Sequence, residues 1–459
     1  MPLRERFGGA LTRVAGGAGA GEILAGWLRA ERSDFVRFNH GRIRQAGTVE
    51  RAVLELRLIS AGRQARHTLT LCGDRGIDDA RVDEGIARLR SAIAIAQPDP
   101  YLSFSETATR SLHHAPARLA SVDEISDAVC GGAQGADLVG FYAGGPLACA
   151  LISSLGHDHW QETSTWSLEY SIYPGAGGTS GAGIGTDAGA AARDRALKAC
   201  VAGAQWSADA VRDSITTARR DAEILRRPAL RLEPGRYRCY LSPRALADLV
   251  EMLGWGGFSA RAHANGHSPL SRLRNGEATL DPRVSISEDL LGAGAPLFQA
   301  DGFMRPPRLE LVRAGRYGHS LVSPRSGREF RLPENGAVDS ESPEALSIAA
   351  GELDERQAQA RLGTGLEVSN LWYLNFSDRQ NCRITGMTRF ATLWVENGEP
   401  VAPVEVMRFD DSLFRVLGDS LEALTTQRHR LPDTSTYDGR GFGATTAPGA
   451  LLRELNFTL

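Results

Sequence analysis

Residues 388–406, TRFATLWVENGEPVAPVEV, decide how the C-terminal half of the chain folds. In the first half of this stretch, successive side chains fall into two alternating sets, which is the period of two that places them on opposite faces of a pleated strand. Asn397-Gly398 then supplies two residues that tolerate the positive φ of a type I′ turn. Pro400 and Pro403 follow, and proline cannot donate a hydrogen bond to a ladder. The stretch therefore predicts a β-hairpin whose return strand lies at an edge or carries a bulge.

A helical pattern follows the hairpin in DDSLFRVLGDSLEAL, residues 410–424. Leu413, Leu417 and Leu421 recur every four residues, which places them on one face of a helix. Asp410 or Asp411 precedes them as a candidate N-cap. We predict a short amphipathic helix that lies back on the sheet.

The N-terminal third of the chain alternates strand and helix patterns. Residues 33–73 hold three strand candidates, with turns at Gly41 and Gly62. Asp78 or Asp79 is a candidate cap for the next helix, in which apolar residues recur at steps of four and three until Pro98-Asp99-Pro100 ends it. Another helix is expected near 122–130, and a strand in TSTWSLEYSIY.

Residues 138–157 carry no charge and have the length of a bilayer span. Gly144-Gly145-Pro146 interrupts them in the middle. Because this break separates two short apolar runs, we predict a strand, a turn and a second strand inside a core rather than a membrane helix.

Residues 190–227 have a helical pattern in two segments. The first contains Ala196, Leu197, Cys200 and Val201, and the second runs from about Ser207 to Leu225. Prolines follow the second segment, so we place a domain boundary at 228–236. This predicts an α+β protein with an N-terminal mixed α/β domain, residues 1–227, and a C-terminal antiparallel β-rich domain, residues 236–459, built as a large sheet or split barrel.

The C-terminal domain is expected to open with the strand RYRCYL, residues 236–241. The next segment, SPRALADLVEML, has Ser242 as a candidate cap and proline in its first turn, as helix starts often do. A helix is therefore predicted from about residue 243.

Length and composition set the class of protein. The chain has 459 residues, of which 42% are hydrophobic and 23% charged, so it can bury two sizeable cores. A net charge of −3 gives no electrostatic reason to bind nucleic acid or an anionic membrane. Six scattered cysteines without a CxxC pair fit free thiols in a reducing cytoplasm, and the N-terminus has no apolar run typical of a secretion signal.

The glycine-rich run at 174–190, PGAGGTSGAGIGTDAGA, contains neither G-x-G-x-x-G nor G-K-S/T. We therefore interpret it as a surface loop rather than a nucleotide site.

Two pairs of histidines have spacings that metal sites use. His263 and His267 are four residues apart, but Asn265-Gly266 between them favours a turn over a helix, and no glutamate stands at the second position to act as a base. His157 and His159 could bind a metal from a strand, although a polar loop is the simpler interpretation.

Other reactive-looking residues have structural interpretations. Cys382 is expected to be a small buried side chain. The pairs Asp78-Asp79 and Asp410-Asp411 are expected to cap helices. The aromatic cluster is expected to lie in a core or an interface, and it comprises Trp372, Tyr373 and Phe376.

The run FATLWVENGEPVAPVEVMRFDDSLFRVL, residues 390–417, resembles the C-terminal signature of the TldD/PmbA (TldE) family. In that family a strand ending in W-(I/V)-E-N-G-E is followed by a Pro-Val-Glu strand. The resemblance extends back through SNLWYLNFSD, DLVGFYAGGPLACALISSLG and AIAQPDP, which together span most of the chain.

The resemblance implies a specific division of labour. A TldD-type subunit resembles a zinc peptidase, in which a helix carries H-E-x-x-x-H, the imidazoles bind the metal and the glutamate activates water. The matching frame here runs from Val250 to Trp255, so neither histidine position can bind zinc, and Glu251 is interpreted as an acid on the helix surface. No metal site is therefore expected in this chain, and zinc is expected only in a partner.

The resemblance further implies a cytoplasmic TldE/PmbA-like subunit that pairs with a TldD-type subunit, or with itself, around unfolded or small peptides. Two alternatives remain open at this point. One is a stand-alone hydrolase that uses His263 and His267 or another metal site. The other is a homodimeric scaffold without proteolytic activity, near which the family's older label, modulator of DNA gyrase, belongs.

Overall fold

The structure, a computed structural model, describes residues 2–174 and 195–458. Within these ranges the N-terminal half forms a seven-stranded sheet in the order β3-β2-β1-β5-β6-β4, and β7 pairs with β6 beside β4. All pairings are antiparallel except that of β4 with β6. The strands are β1 (Ile23–Asn39), β2 (Arg42–Ser60), β3 (Arg63–Thr70), β4 (Arg110–Ala115), β5 (Asp137–Ser153), β6 (Asp158–Tyr173) and β7 (Leu197–Gly203).

Helices cover one face of this sheet. Two of them pack with Leu24, Leu28 and Leu54, and the other two pack with Val36 and Tyr142. They are α1 (Leu3–Gly16), α2 (Arg75–Ile95), α3 (Val122–Gly132) and α4 (Ala208–Ala222), which continues as a 3₁₀ turn over Glu223–Arg226. Strand side chains of the opposite parity, including Trp27 and Cys149, therefore point away from these helices.

The predicted turns at Gly41 and Gly62 are confirmed. Each glycine and the residue before it have positive φ, which is the geometry of a two-residue hairpin turn. The helix near 122–130 is also confirmed, with Ser121 as its cap in a capping box with Glu124.

Three N-terminal predictions are wrong. Asp74 caps α2, whereas Asp78 is buried and accepts hydrogen bonds from the backbone N–H groups of Cys72 and Gly73. Residues 137–153 run as one strand without a turn at Gly144-Gly145-Pro146. Residues 197–203 form a strand instead of a helix, because they pair in register with Trp166 to Ile172 of β6.

Most of the glycine-rich run predicted to be a surface loop lies outside the described residues, which resume at 195. No helix within the described ranges is both long enough and apolar enough to cross a membrane.

The strands of the C-terminal half form a second, larger sheet. In its centre β8, β13, β14, β16 and β18 pair in sequence, and β18 pairs back with β8, so the pairings close into a ring. The strands are β8 (Gly235–Leu241), β9 (Ile286–Asp289), β10 (Arg308–Arg313), β11 (Arg316–Tyr317), β12 (Leu346–Ile348), β13 (Gly365–Asp378), β14 (Arg383–Glu396), β15 (Glu399–Pro403), β16 (Arg408–Ser412), β17 (Leu421–Pro432) and β18 (Ala444–Phe457).

Short helices surround this sheet, and the first of them packs its apolar face into the largest core. They are α5 (Pro243–Glu251), α6 (Ala260–Ala264), α7 (Ser271–Arg274), α8 (Leu290–Ala293), α9 (Pro324–Phe330), α10 (Ala358–Leu362) and α11 (Leu413–Val416), with 3₁₀ turns at Met252–Gly254 and Glu355–Gln357. The predicted cap of α5 is confirmed, since the Ser242 hydroxyl accepts from the Ala245 N–H at 3.1 Å. The α+β class, with mixed helices and strands and two sheets, is as expected.

The hairpin at 388–406 forms as predicted. Asn397 and Gly398 have φ of 51° and 83°, and Glu396 pairs with Glu399 across the turn. The return strand β15 pairs with β14 on one side. On its other side the Leu230 N–H donates to the Pro403 carbonyl at 2.8 Å, so part of this edge is already covered.

The helix predicted after the hairpin is much shorter than expected, so its predicted extent is wrong. Asp410 and Asp411 lie in strand β16 and cap no helix; they pair with Arg383 and Arg415. The helix α11 has only four residues, and Leu421 begins strand β17.

Candidate functional site

A cavity of about 1610 Å³ opens between the two sheets. Its N-terminal wall is the helix-free face of β1 and β5 together with β7. Its C-terminal wall comprises α5, part of β13 and the segment 433–443 that joins β17 to β18. Ligand pockets for small molecules are commonly about 300–1,000 Å³, so this volume suits a longer, extended ligand.

Helix α5 presents a polar stripe to the cavity. Arg244, Asp248 and Glu251 follow one another at steps of four and three and line the cavity, while Leu246 and Val250 are buried on the opposite face. The Arg244 Nη2 donates to Asp248 Oδ1 at 2.6 Å and to Glu251 Oε2 at 3.2 Å. The stripe is therefore one ionic network.

Burial and charge shift the ionisation of this network. Burial raises the pKa of Glu251, and the neighbouring Arg244 guanidinium opposes that shift. Burial lowers the pKa of Arg244, but the carboxylates of Asp248 and Glu251 outweigh it, so the net shift is upward. The guanidinium thus stays charged, and Asp248 is fixed further because its Oδ2 accepts from the Leu371 N–H at 3.1 Å.

The residues of α5 do not fit a zinc ion. Val250 is in the hydrophobic core, Trp255 is 55% exposed beyond the helix end, and the charge on the cavity face next to Glu251 is that of an arginine. Across residues 2–174 and 195–458, no three His, Cys, Asp or Glu side chains group in a way that could hold a metal. Glu251 lies on the helix surface, as interpreted, with its side chain 39% exposed, and that surface is the one that lines the cavity.

The two histidines of HANGH are not brought together as a pair of ligands. His263 lies in the last turn of α6, its Nε2 is 2.9 Å from the Tyr317 hydroxyl, and burial lowers its pKa to about 4. His267 is exposed beyond Gly266, which turns the chain with a φ of 70°. The expected turn is confirmed.

His157 and His159 are buried at the start of β6, so a polar loop is the wrong interpretation. His159 Nε2 and Nδ1 lie 2.9 and 2.7 Å from the hydroxyls of Thr109 and Ser111, and its ring stacks on Phe298 at 4.7 Å. Burial lowers its pKa to about 4. These contacts join the N-terminal sheet to the C-terminal half and make His159 a packing residue.

The predicted aromatic cluster is not a core. Tyr373 is 74% exposed and packs edge-on against Trp372 at 5.2 Å, and Trp372 lines the cavity rim. Phe376 lies farther along β13 under the Arg379 guanidinium. Cys382, by contrast, is fully buried as expected.

Charged groups line the N-terminal wall as well. Lys198 of β7 pairs with Glu169 at 2.9 Å and lies over the Phe390 ring of the opposite sheet at 5.4 Å. Arg29 of β1 also lines the cavity.

The segment 433–443 reaches across to this wall. Its Arg440 donates to the carbonyls of Gly145 and Thr165 at 2.6 and 2.8 Å and to the Ser33 hydroxyl at 2.9 Å. Arg440 thereby links the C-terminal wall of the cavity to its N-terminal wall.

The polar stripe of α5 was missed at the level of sequence. Its signal was readable, because Arg244, Asp248 and Glu251 have the spacing of one helix face opposite a continuous apolar face. The N-terminal wall carried no such signal, since Arg29 and Lys198 lie on strands far apart in the sequence and Arg440 reaches this wall from the segment 433–443.

The C-terminal half also matches a known protein family. Residues 234–459 match the family model described as "PmbA/TldA metallopeptidase C-terminal domain". A search of curated proteins found no match.

Several solved structures share the fold. TldE from Thermococcus kodakarensis superposes with a TM-score of 0.77 at 14% identity, covering 95% of this chain and 97% of that one. A protein described as a proposed modulator of a DNA gyrase from Thermotoga maritima has a TM-score of 0.73 at 14% identity over the full length of both chains. A similarly described protein from Bacteroides thetaiotaomicron has a TM-score of 0.70 at 14% identity, covering 99% and 98%.

Proposed function

Because this chain belongs to the TldD/PmbA family through its C-terminal domain, we propose that it is the subunit of a cytoplasmic two-part peptidase that holds the peptide and binds no metal of its own. A TldD-type partner supplies the zinc centre in this proposal. The substrates are unfolded or small peptides, and the 1610 Å³ cavity is where this chain holds them.

The α5 network is the observation that supports the absence of a metal centre. A zinc ion needs several neutral imidazole, thiolate or carboxylate ligands that converge without a competing cation. Here the Arg244 guanidinium already occupies the position between Asp248 and Glu251. A divalent cation at this face would have to displace it and would be repelled by it. The helix instead offers a peptide fixed charges of both signs.

Strand addition is the binding mode that the cavity favours. The edge of β7 away from β6 makes no backbone hydrogen bond within the described residues, and Lys198, Ala199 and Cys200 of this strand line the cavity. An extended peptide could pair there through its main chain, which would recognise unfolded segments without demanding a sequence. The edge of β15 is less suitable because Leu230 covers part of it.

The test of the assembly mixes the purified full-length chain with a TldD-type subunit. We expect the two to co-elute in size-exclusion chromatography, and a flexible fluorogenic peptide to be cleaved only by the mixture and only with zinc. Elemental analysis of this chain alone should find less than one zinc per ten chains. Zinc bound at one per chain and lost in His263→Ala would overturn the proposal in favour of a stand-alone hydrolase, and failure to co-elute would overturn the assignment as a subunit.

The binding mode is tested with peptides N-methylated on alternate amides. Methylation in one phase removes the N–H groups that face β7, and methylation in the other phase removes those that face away. We expect calorimetry to show binding lost in one phase and kept in the other. Equal effects of both phases would rule out strand addition.

A further inference from the structure

A second pocket of about 490 Å³ continues from the large cavity. The two share Trp27, Arg29, Pro296 and Glu344 in their walls. We call the second one the basic pocket, because five arginines and three carboxylates line it. The arginines are Arg29, Arg57, Arg66, Arg305 and Arg325, and the carboxylates are Asp301, Asp339 and Glu344.

Most of these arginines are already held by acids of the protein. Arg57 and Arg66 contact Asp301, and Arg325 contacts Asp99 at 2.7 Å. Burial raises the pKa of Asp301, and the two arginines oppose that shift. These pairs shape the pocket but leave little charge free for a ligand.

Arg29 differs from the others. Its guanidinium makes no hydrogen bond or ion pair with any residue of the described ranges, although it stands on the wall common to both pockets. It lies on β1 opposite Cys149 of β5, on the face that the helices leave open. A cation in this position can receive an anion that comes from the large cavity.

Two buried donors in the same pocket also lack acceptors. Gln299 is 3% exposed, and its Oε1 accepts from the Asp301 N–H, which fixes its Nε2 as a donor; that Nε2 has no partner within the described residues. Arg305 is 5% exposed, and its Nη1 and Nη2 bind Glu344 and Glu288 while its Nε is unpartnered in the same ranges. Buried donors without acceptors are costly, so a built pocket with two of them calls for an acceptor from a ligand.

From these three donors we infer that the basic pocket binds a carboxylate of the peptide whose body lies in the large cavity, an inference that rests on the proposed function. The carboxylate offers two oxygens, each able to accept more than one hydrogen bond, and it matches a guanidinium in charge and shape. The peptide α-carboxylate and an acidic side chain share this chemistry. The site would place that end of the peptide away from α5.

Calorimetry on the full-length chain tests this with three peptides of one sequence: a free acid, a C-terminal amide, and an amide whose last residue is glutamate. We expect the free acid to bind about 10- to 100-fold more tightly than the plain amide, the range for hydrogen bonds to a charged group. In Arg29→Gln the ratio of the two affinities should fall towards one. Arg44→Gln, which removes an exposed arginine of β2 outside both pockets, should keep the ratio.

The outcomes separate the two levels of the proposal. Equal binding of acid and amide by the unaltered chain, or a ratio that survives Arg29→Gln, overturns the carboxylate site and leaves the peptide cavity standing. Binding of none of the peptides overturns both. If the glutamate amide binds like the free acid, an acidic side chain is the source of the carboxylate; if it binds like the plain amide, the α-carboxylate is.

Discussion

Replacing Arg440 by alanine should loosen the cavity from one side. The Arg440 side chain is 7% exposed and lies 3.8 Å from the carboxylate of Glu31, besides its hydrogen bonds to backbone carbonyls of β5 and β6. Burial lowers the pKa of Arg440, and the Glu31 carboxylate opposes that shift. The alanine variant leaves the Glu31 carboxylate without this cation and the two backbone carbonyls without this donor.

The magnitude follows from what is left behind. Breaking a buried ion pair by removing one partner costs about 3–5 kcal/mol, because the remaining charge stays buried. Glu31 keeps its 2.8 Å hydrogen bond from the Ser33 hydroxyl, which offsets part of this cost. We therefore expect a loss of about 3 kcal/mol in the free energy of unfolding, at the lower end of that range.

Urea unfolding followed by circular dichroism measures the loss, and chymotryptic cleavage after Phe442 reports whether the segment 433–443 has come free. Arg440→Lys should recover part of the stability, since an ammonium keeps the charge but not the planar fork. Arg212→Ala, which removes a half-exposed helix arginine whose partner within the described residues is Asp209, should change nothing measurable. Unchanged unfolding and cleavage in Arg440→Ala would refute the view that this arginine fastens the two halves together.

Two further predictions concern the N-terminal sheet. The pKa of the His159 imidazole is near 6.5 in the unfolded chain and about 4 in the folded one. Between these pH values the unfolded state binds more protons than the folded state. The free energy of unfolding should therefore fall by up to about 3 kcal/mol as the pH is lowered through that window. In His159→Gln the urea unfolding midpoint should depend less on pH within that window. An unchanged dependence on pH would contradict the attribution of this effect to His159. Gly145→Ala should cost about 3 kcal/mol or more, because φ is 155° and a Cβ there would lie 1.8 Å from the Arg32 carbonyl oxygen. Gly131→Ala in α3, where a Cβ meets nothing within 4 Å, should instead stabilise by about 0.5–1 kcal/mol in the same assay, and equal effects of the two changes would be evidence against this packing.

Local chemistry made part of the fold predictable. Asn397-Gly398 has an intrinsic tolerance for positive φ, and Ser242 has an intrinsic preference for a helix cap, so neither needs a distant partner to act. The turns at Gly41 and Gly62 belong to the same class.

The errors share a different cause. Residues 197–203 contain alanines and a leucine that suit a helix, but β6 offers them a ladder that only the folded chain supplies. Gly144-Gly145-Pro146 resembles a turn, yet the glycines leave room there for Tyr142 and the Arg32 backbone, and the strand continues. Asp410 lies in a strand, where it pairs with Thr385 of β14 and its carboxylate contacts Arg383. Tertiary partners overrode local preference in each case.

The site was less predictable than the fold, because its walls come from distant parts of the chain. The charges on those walls nevertheless differ between the two pockets, which makes the site asymmetric. The large cavity has more carboxylates than cations: the carboxylates are Glu31, Glu169, Asp248, Glu251, Glu344, Asp433 and Asp438, and the cations Arg29, Arg51, Lys198, Arg244 and Arg440. The basic pocket has the opposite balance, and although acids hold most of its arginines, Arg29 has no such partner within the described residues. Complementary charge favours one register of a bound chain over another. A peptide with its amino end in the large cavity and a carboxylate at Arg29 would therefore be bound in preference to the same peptide in the reversed orientation. Even a site that tolerates many sequences could in this way select the direction in which a peptide binds.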